Sequence, residues 1–353
     1  MKKPKPPVPS PNNRPRQLNP EGLVTIEMVA KAAGVSLSTV SRILNGTAGV
    51  REAKREAVDK AIAELGFVPN PIARGLAGGR SMSIGVITQA IDSPFYGAAL
   101  RGIEETLDPA GFSPLFVSGH WNAATEARCI TMLHSRRVDG IIVLTGRLSD
   151  QALADCALQL PVVATGRTLS SPGLYTLNFD NFEGARLATQ HLTDLGHKQI
   201  AFISGEDEHP DATERLRGYR AALEEAGLAF EPKLVVPGAY HEVSGMLAVE
   251  NLLSSRQPFS AIFAANDQMA VGAALALHKR SLRVPDDVSL VGFDDMASSQ
   301  FSLPPLTTVH QPNYELGQLA AQAMLQLLAG EEPQIEMPAP RLVRRDSCKR
   351  MRG

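Results

Sequence analysis

Cysteine is scarce and poorly placed for chemistry. The chain holds three, Cys129, Cys156 and Cys348, an odd number set far apart in no metal-ligand spacing. That excludes a disulfide framework and points to a reducing compartment. No run of residues is apolar and long enough to cross a bilayer. The first 22 residues, M-K-K-P-K-P-P-V-P-S-P-N-N-R-P-R-Q-L-N-P-E-G, lack the apolar centre of a signal peptide. Missing as well are G-x-G-x-x-G, a P-loop lysine and H-E-x-x-H: His241-Glu242 is followed by Val-Ser-Gly, and the eight histidines are scattered. Nothing positive therefore supports an enzyme, a cofactor or a bound metal, and none is expected.

A one-sided charge is also lacking, with a net of −2, but the average conceals a division. Residues 1–80 carry 13 Lys/Arg against 6 Asp/Glu, and the remainder 22 against 31. A basic segment ahead of an acidic body is the electrostatic pattern of a nucleic-acid-binding module joined to another domain. At 353 residues the chain exceeds one typical domain and can bury a large core. Residues 1–22, basic and Pro-rich, read as a disordered arm.

Residues Thr25 to Asn45, T-I-E-M-V-A-K-A-A-G-V-S-L-S-T-V-S-R-I-L-N, give two short helical patterns hinged on Gly34. Thr25 is a good N-cap, and Ile26, Val29, Ala30 and Ala33 share one face. Ser36 caps a second helix with Val40, Ile43 and Leu44 inward, and Leu37, Ser38, Ser41 and Arg42 outward. Small, hydroxylic and cationic side chains on such a helix suit the DNA major groove, although a plain helical hairpin uses the same turn. A third helix from about Arg51 to Leu65 places Ala53, Ala57, Val58, Ala61, Ile62 and Leu65 on one stripe, which completes a three-helix core. Pro69 and Pro71 stop it, and Ile72 to Leu76 suit a helical turn or two, too short to be stable alone.

With these residues the chain resembles the LacI/GalR family of transcriptional regulators over about Leu23 to Cys348. The markers are V-S-L-S-T-V-S-R-I-L-N (35–45), F-V-P-N-P-I-A-R-G-L (67–76), A-N-D-Q-M-A-V-G (265–272), V-P-D-D-V-S-L-V-G-F-D-D (284–295), P-P-L-T-T-V (304–309) and L-V-R-R-D-S-C (342–348). The resemblance implies an α headpiece at 23–68, a hinge helix and linker at 69–81, an α/β two-lobe, periplasmic-binding-protein-like effector and dimerisation domain at 82–348, and a tail at 349–353. It implies DNA contacts from Thr25, Ser36, Leu37, Ser38, Thr39, Ser41, Arg42 and Asn45, and from Asn70, Ala73 and Leu76 in the hinge. Leu76 is the residue that would wedge into the minor groove.

From Ser83 onward the pattern is alternating strand and helix. Ile84–Thr88, Leu115–Val117, Gly140–Leu144, Val162–Thr165, Ile200–Ser204, Ala261–Ala265 and Ser289–Gly292 read as strands. Gly97–Leu107, Asn181–Leu195, Ala212–Ala226 and Gln268–Lys279 read as helices. Repeated βα units imply parallel sheets, and seven strands imply two lobes rather than one small sheet. The family fold places crossings between lobes near Phe179–Phe182, Phe293–Ala297 and Pro312–Gly330. Ligands of such sheets bind at the carboxyl ends of the strands.

By resemblance, Arg215, Asn266 and Asp294 hold effector hydroxyls, while Gln89, Phe95, Asp211 and Tyr240 line the same pocket. Asp267 is expected to cap the helix that follows it, Asp295 to cap or pair outside the pocket, and Arg217 fits the surface equally well. Three residues depart from the family pattern: Gly166 where an acid is common, Gln89 where Asp is usual, and Arg51 where Ser usually caps, at a cost of about 1 kcal/mol. The single tryptophan, Trp121, lies near the first lobe's cleft loops, or on the surface. The expectation is a cytoplasmic, ligand-responsive repressor of a carbohydrate-utilisation operon, released from a pseudo-palindromic operator by a sugar or sugar derivative. A purine-type corepressor-dependent regulator and a sugar-binding protein without DNA function are the alternatives. One recognition helix reads few base pairs, and no heptad tail follows L-V-R-R-D-S-C, so a homodimer is expected rather than a tetramer.

Overall fold

Thr25 opens the first helix as its sequence position requires: its hydroxyl accepts from the Met28 amide at 3.4 Å. In this computed structural model, which describes residues 24–44, 49–67, 80–206 and 209–351, the chain divides into two units, 1–81 and 82–353. The disordered-arm expectation for 1–22 and the hinge helix at Ile72–Leu76 lie outside the described residues.

The first unit holds α1 (Ile26–Ala32), α2 (Leu37–Leu44) and α3 (Glu52–Leu65). Gly34, at φ +64°, makes the left-handed turn between α1 and α2. Ser36 then caps α2 by accepting from the Thr39 amide at 3.3 Å. Val29, Ala30, Val40, Ile43, Val58 and Ala61 form the buried core. Ala53 is exposed, contrary to its expected place on the inner stripe, because the buried face of α3 begins a turn later, around Ala57 and Val58. Arg51 precedes α3 without a side-chain cap bond, as a residue with no acceptor must.

The second unit is built on two sheets. One runs β2-β1-β3-β4-β5, from strands β1 (Ser83–Thr88), β2 (Ser113–Ser118), β3 (Gly140–Val143), β4 (Val162–Thr165) and β5 (Leu174–Leu177), all parallel. The other runs β11-β10-β9-β8-β6-β7, from β6 (Ile200–Ser204), β7 (Val235–Pro237), β8 (Ala261–Ala264), β9 (Ser289–Asp294), β10 (Thr307–His310) and β11 (Arg341–Val343). It is parallel except for the β10–β11 pair. Helices α4 (Pro94–Leu107), α5 (Ala123–Ser135) and α6 (Asp150–Ala157) belong to the first lobe. Helices α7 (Asn181–Asp194), α8 (Pro210–Glu225), α9 (Glu242–Ser254) and α10 (Asp267–Lys279) belong to the second.

The last helix, α11 (Asn313–Ala329), returns to the first lobe, where Leu316, Ala320, Ala321 and Met324 join the core with Ile84 and Ile103. It lies so close to α4 that a Cβ at Gly102 would stand 2.2 Å from the Tyr314 carbonyl, and one at Gly317 2.0 Å from that of Ala99. Two glycines set this helix spacing, since any side chain would push the backbones apart.

The chain thus passes between lobes at 178–180, at 311–312 and along 330–340, where the Tyr175 hydroxyl donates to the Ile335 carbonyl at 2.9 Å. The expected crossing at Phe293–Ala297 is not one. β9 extends through Asp294, Met296 N donates to the Asp267 carboxylate at 2.9 Å, and Asp295 pairs with Arg345 and His310. All of these partners belong to the second lobe, so the segment stays there.

Candidate functional site

On the first unit, α2 turns Val40 and Ile43 inward and leaves Leu37 exposed (46%) beside exposed Ser38 and Arg42. Ser41 and Thr39 are half-buried, and Thr25 and Ser36 are exposed. The hydroxyls of Ser36, Ser38 and Thr39 lie within 2.9 Å and 2.8 Å of one another through Ser36. The first turn of α2 therefore presents a cluster of three hydroxyls at its electropositive end. Of the expected DNA-contact residues, Asn45, Asn70, Ala73 and Leu76 fall outside the described residues.

In the second unit the carboxyl ends of both sheets face a cleft of about 380 Å³. Asp92, Phe95, Tyr96, Trp121 and Thr145 line it from the first lobe, and His209, Asp211, Arg215, Tyr240, Glu242, Asn266 and Asp294 from the second. Asp294 sits there because β9 ends at the cleft, and Asn266 because β8 ends two residues before it. Arg147 of the first lobe donates to Glu206 of the second at 2.9 Å, a contact between the lobes.

Arg215 is the hub. Buried on α8, its Nε donates to Asn181 Oδ1 at 2.8 Å, Nη1 to the Ala265 carbonyl, and Nη2 to Gln311 Oε1 at 3.1 Å. Its guanidinium lies 3.8 Å from the Phe293 ring centroid and 3.8 Å from Asp294 Oδ1. The Asp294 oxygen is close enough for charge attraction but has no hydrogen bond. Burial pushes the Asp294 carboxyl well up from its ordinary range against the pull of Arg215, with Asp267 and Asp211 pushing the same way as burial. Tyr240 carries its phenol into the same space with no hydrogen-bond partner, and burial raises its pKa too. Asp211 accepts from Asn181 Nδ2 at 3.0 Å.

Two expected roles change in the structure. Asn266, not Asp267, caps α10: its Oδ1 accepts from Met269 N at 2.9 Å while its Nδ2 donates to the Tyr240 carbonyl at 3.0 Å. Asp267 is the first helical residue, fully buried, and accepts from the Ser299 and Thr308 hydroxyls at 2.5 Å each. Burial pushes its pKa up to about 6. Gln89 does not line the cleft. Its amide faces inward, donating to the Thr145 carbonyl at 2.6 Å and accepting from Trp121 N at 2.8 Å, so it ties two cleft loops together. Gly166 stands at φ +72°, where a Cβ would come within 2.9 Å of Thr145; an acidic residue would be strained here. Arg217 is exposed and pairs with Glu214 at 2.8 Å.

Sequence reasoning did not single out Tyr96, Thr145 or His209 for the cleft. Tyr96 and Thr145 carry no local signal, because they meet the pocket only through the packing of separate βα units. For His209 the cue was its place before Pro210, which starts a helix at a strand's carboxyl side. Trp121, expected near the first lobe's cleft loops or on the surface, lines the cleft with its ring centroid 4.4 Å from that of His209.

A three-helix unit with an exposed, hydroxyl-rich second helix, joined to a two-lobe domain with a polar and aromatic cleft, defines a ligand-responsive DNA-binding regulator. Comparison with known proteins agrees. Residues 25–70 match the bacterial regulatory proteins of the lacI family, and residues 81–342 match the periplasmic binding proteins and sugar-binding domain of that family. The chain is 33% identical over 336 residues to the HTH-type transcriptional repressor PurR of Haemophilus influenzae, covering 93% of this chain and 99% of that one. It is 35% identical to catabolite control protein A of Priestia megaterium, covering 87% and 93%. Among solved structures, the lac repressor dimer bound to operator and the anti-inducer ONPF superposes with a TM-score of 0.84 at 32% identity, and the CelR–cellobiose complex with 0.69 at 34%; each covers 92% of this chain and 99% of the other. The chain belongs to the LacI family: it is a DNA-binding transcriptional repressor with a sugar-binding-type effector domain. These relatives are regulators rather than enzymes, and no helix among the described residues is long and apolar enough to cross a membrane.

Proposed function

We propose that the protein acts in the cytoplasm as a homodimeric repressor of a carbohydrate-utilisation operon, released from a pseudo-palindromic operator when an uncharged, sugar-like effector fills the cleft. The observation that carries the effector class is the charge of the cleft. Asp92, Asp211, Glu242 and Asp294 line it against one guanidinium, Arg215, three of whose five N–H groups already serve Asn181, Ala265 and Gln311. An anionic ligand meets more carboxyls than cations there, whereas hydroxyls find acceptors in them. The relative solved with cellobiose supports the same reading. The ring group of Phe95, Tyr96 and Trp121 suits the apolar face of a pyranose, and it also suits a flat purine, which is the second reading.

On the DNA side, Leu37 offers an apolar contact to a thymine methyl and Ser38 a hydroxyl, with Arg42 reaching guanine or phosphate. Thr25, Ser36, Thr39 and Ser41 supply phosphate contacts, and the hinge with Asn70, Ala73 and Leu76 enters the minor groove. The dimer places two recognition helices on two half-sites. Selecting an operator from random duplex DNA, then measuring release by neutral sugars, sugar phosphates, hypoxanthine and guanine, tests the whole reading. Release by neutral sugars alone supports it; tighter operator binding with a purine supports the second reading. Leu37→Ala in the same selection is expected to relax one position per half-site by roughly 1 kcal/mol.

A further inference from the structure

The two loops that carry Trp121 and Thr145 toward the cleft hold a backbone that their residue types disfavour. His120, Trp121 and Thr145 stand at φ +54°, +53° and +44°. For a β-branched threonine this left-handed region is a true outlier. Such conformations persist where the surroundings over-determine them, and they gather at ligand clamps and switches. Here two buried polar side chains, Gln89 and Glu126, at 1% and 0% exposure, supply the constraint.

Glu126 lies in the first turn of α5 and does not line the cleft. Its Oε1 accepts from Arg147 N at 3.0 Å, and its Oε2 from Arg147 N and Leu148 N at 3.0 Å each. The same loop is held from other sides. Gln89 donates to the Thr145 carbonyl, Thr165 Oγ1 accepts from Thr145 N at 3.0 Å, and Arg167 donates to the Gly146 and Leu148 carbonyls at 2.8 Å each. Two glycines make room for the carboxylate. A Cβ at Gly119 would stand 2.4 Å from Glu126 Cγ, and one at Gly146 2.7 Å from Glu126 Oε2. The residue whose amide both oxygens hold is Arg147, and its guanidinium reaches Glu206 of the second lobe.

We propose that Glu126 is a positioning residue for the approach of the two lobes: by holding the amides of Arg147 and Leu148 it fixes the backbone from which Arg147 reaches Glu206. Glu126 thereby sets how readily the second lobe closes over Trp121. This role is independent of which effector the cleft takes.

The protein's single tryptophan reads lobe approach directly, since the His209 ring that meets it belongs to the other lobe. Acrylamide quenching of Trp121 is measured on the full-length protein without ligand, from roughly 0.02 to 0.5 M salt. In wild type, quenching should rise with salt as the Arg147–Glu206 pair is screened, the ratio of separated to approached lobes changing about 1.5–5-fold. Glu126→Met keeps the side chain's length and removes both acceptors. Its quenching should be high at low salt and no longer respond to salt. Glu126→Gln keeps one oxygen for the two amides and should restore the wild-type salt response. Adding Glu206→Gln to Glu126→Met should change nothing further, the non-additivity of residues that act through one contact. If Glu126→Met does not melt cooperatively, Gly146→Ala, which drives a methyl against the same carboxylate, takes its place. A variant that melts lower yet keeps the wild-type salt response overturns the assignment and leaves Glu126 a structural residue alone. Wild-type quenching indifferent to salt, or additive effects of the two substitutions, overturns it as well.

Discussion

Arg147 of the first lobe and Glu206 of the second join the two lobes, Nη2 to Oε2 at 2.9 Å. Each arises from a loop at the carboxyl end of a strand, so this contact forms only when the lobes approach. Their side chains are 26% and 50% exposed, which places the pair in the weak class of ion pairs, about 0.2–1 kcal/mol. On the proposed reading an effector that touches both lobes favours the approached state as this ion pair does, and a ligand shifts that equilibrium only by its differential affinity. Glu206→Gln is therefore expected to weaken effector binding by about 1.5–5-fold, with the difference vanishing above roughly 0.5 M salt. A loss that persists at high salt would mean that Glu206 touches the ligand instead.

Arg215→Ala is expected to do more than remove a ligand contact. It strips the donor from Asn181 Oδ1, the Ala265 carbonyl and Gln311 Oε1, and removes the cation beside buried Asp294. Removing one partner of a buried charge cluster costs about 3–5 kcal/mol. The effector domain should melt roughly 10 °C lower and lose its effector response. Operator binding without ligand, measured well below that melting point, should stay near wild type. A variant that keeps both its melting temperature and its response would remove Arg215 from the centre of the site.

Asp267 gives a pH signature. Its pKa is raised from 3.8 to about 6, chiefly by burial. The native state therefore holds a proton that the unfolded chain has released between those values. Its contribution to stability is fully present below pH 3.8 and is lost as pH rises through 6. Relative to Asp267→Asn, the wild type should lose roughly 2–3 kcal/mol between pH 4 and pH 7. Urea midpoints of both proteins at pH 4.5, 5.5 and 7 measure this. Parallel pH profiles would show that the carboxyl is not titrating in the fold.

Val243 and Leu247 on α9, and Val271 and Leu275 on α10, are 41–56% exposed, and each pair is one helical turn apart. Contiguous exposed apolar side chains of this kind support the homodimer reading. Leu275→Glu is expected to shift the protein toward monomer in sedimentation velocity and to weaken operator binding by lowering the occupancy of paired half-sites. Unchanged sedimentation at micromolar concentration would place the interface on another face.

Much of the architecture was readable from local pattern. Thr25, Gly34 and Ser36 announced the two-helix turn, because caps and positive-φ turns depend on residues a few positions apart. Strands such as Val162–Thr165 and Ile200–Ser204 fell where continuous apolar runs placed them, since parallel strands are buried on both faces. Strands β5, β7, β10 and β11 were missed: they are three or four residues long, and β10 buries threonines, whose hydroxyls gave no apolar run. The roles of Asn266 and Asp267 could not be separated in sequence, because adjacent polar residues compete for one cap. Only the position of Ser299, Thr308 and Met296 shows why Asp267 turns inward. Likewise Gln89 was legible as a polar strand end, but its direction was set by the Thr145 carbonyl and Trp121 amide, 56 and 32 positions away. The sequence by itself determined the kind of protein, since caps, periodicity and motifs are local. The tertiary structure decided which side chains share the cleft, because His209, Trp121, Asp294 and Arg215 meet only when two sheets, far apart along the chain, bring their carboxyl ends together.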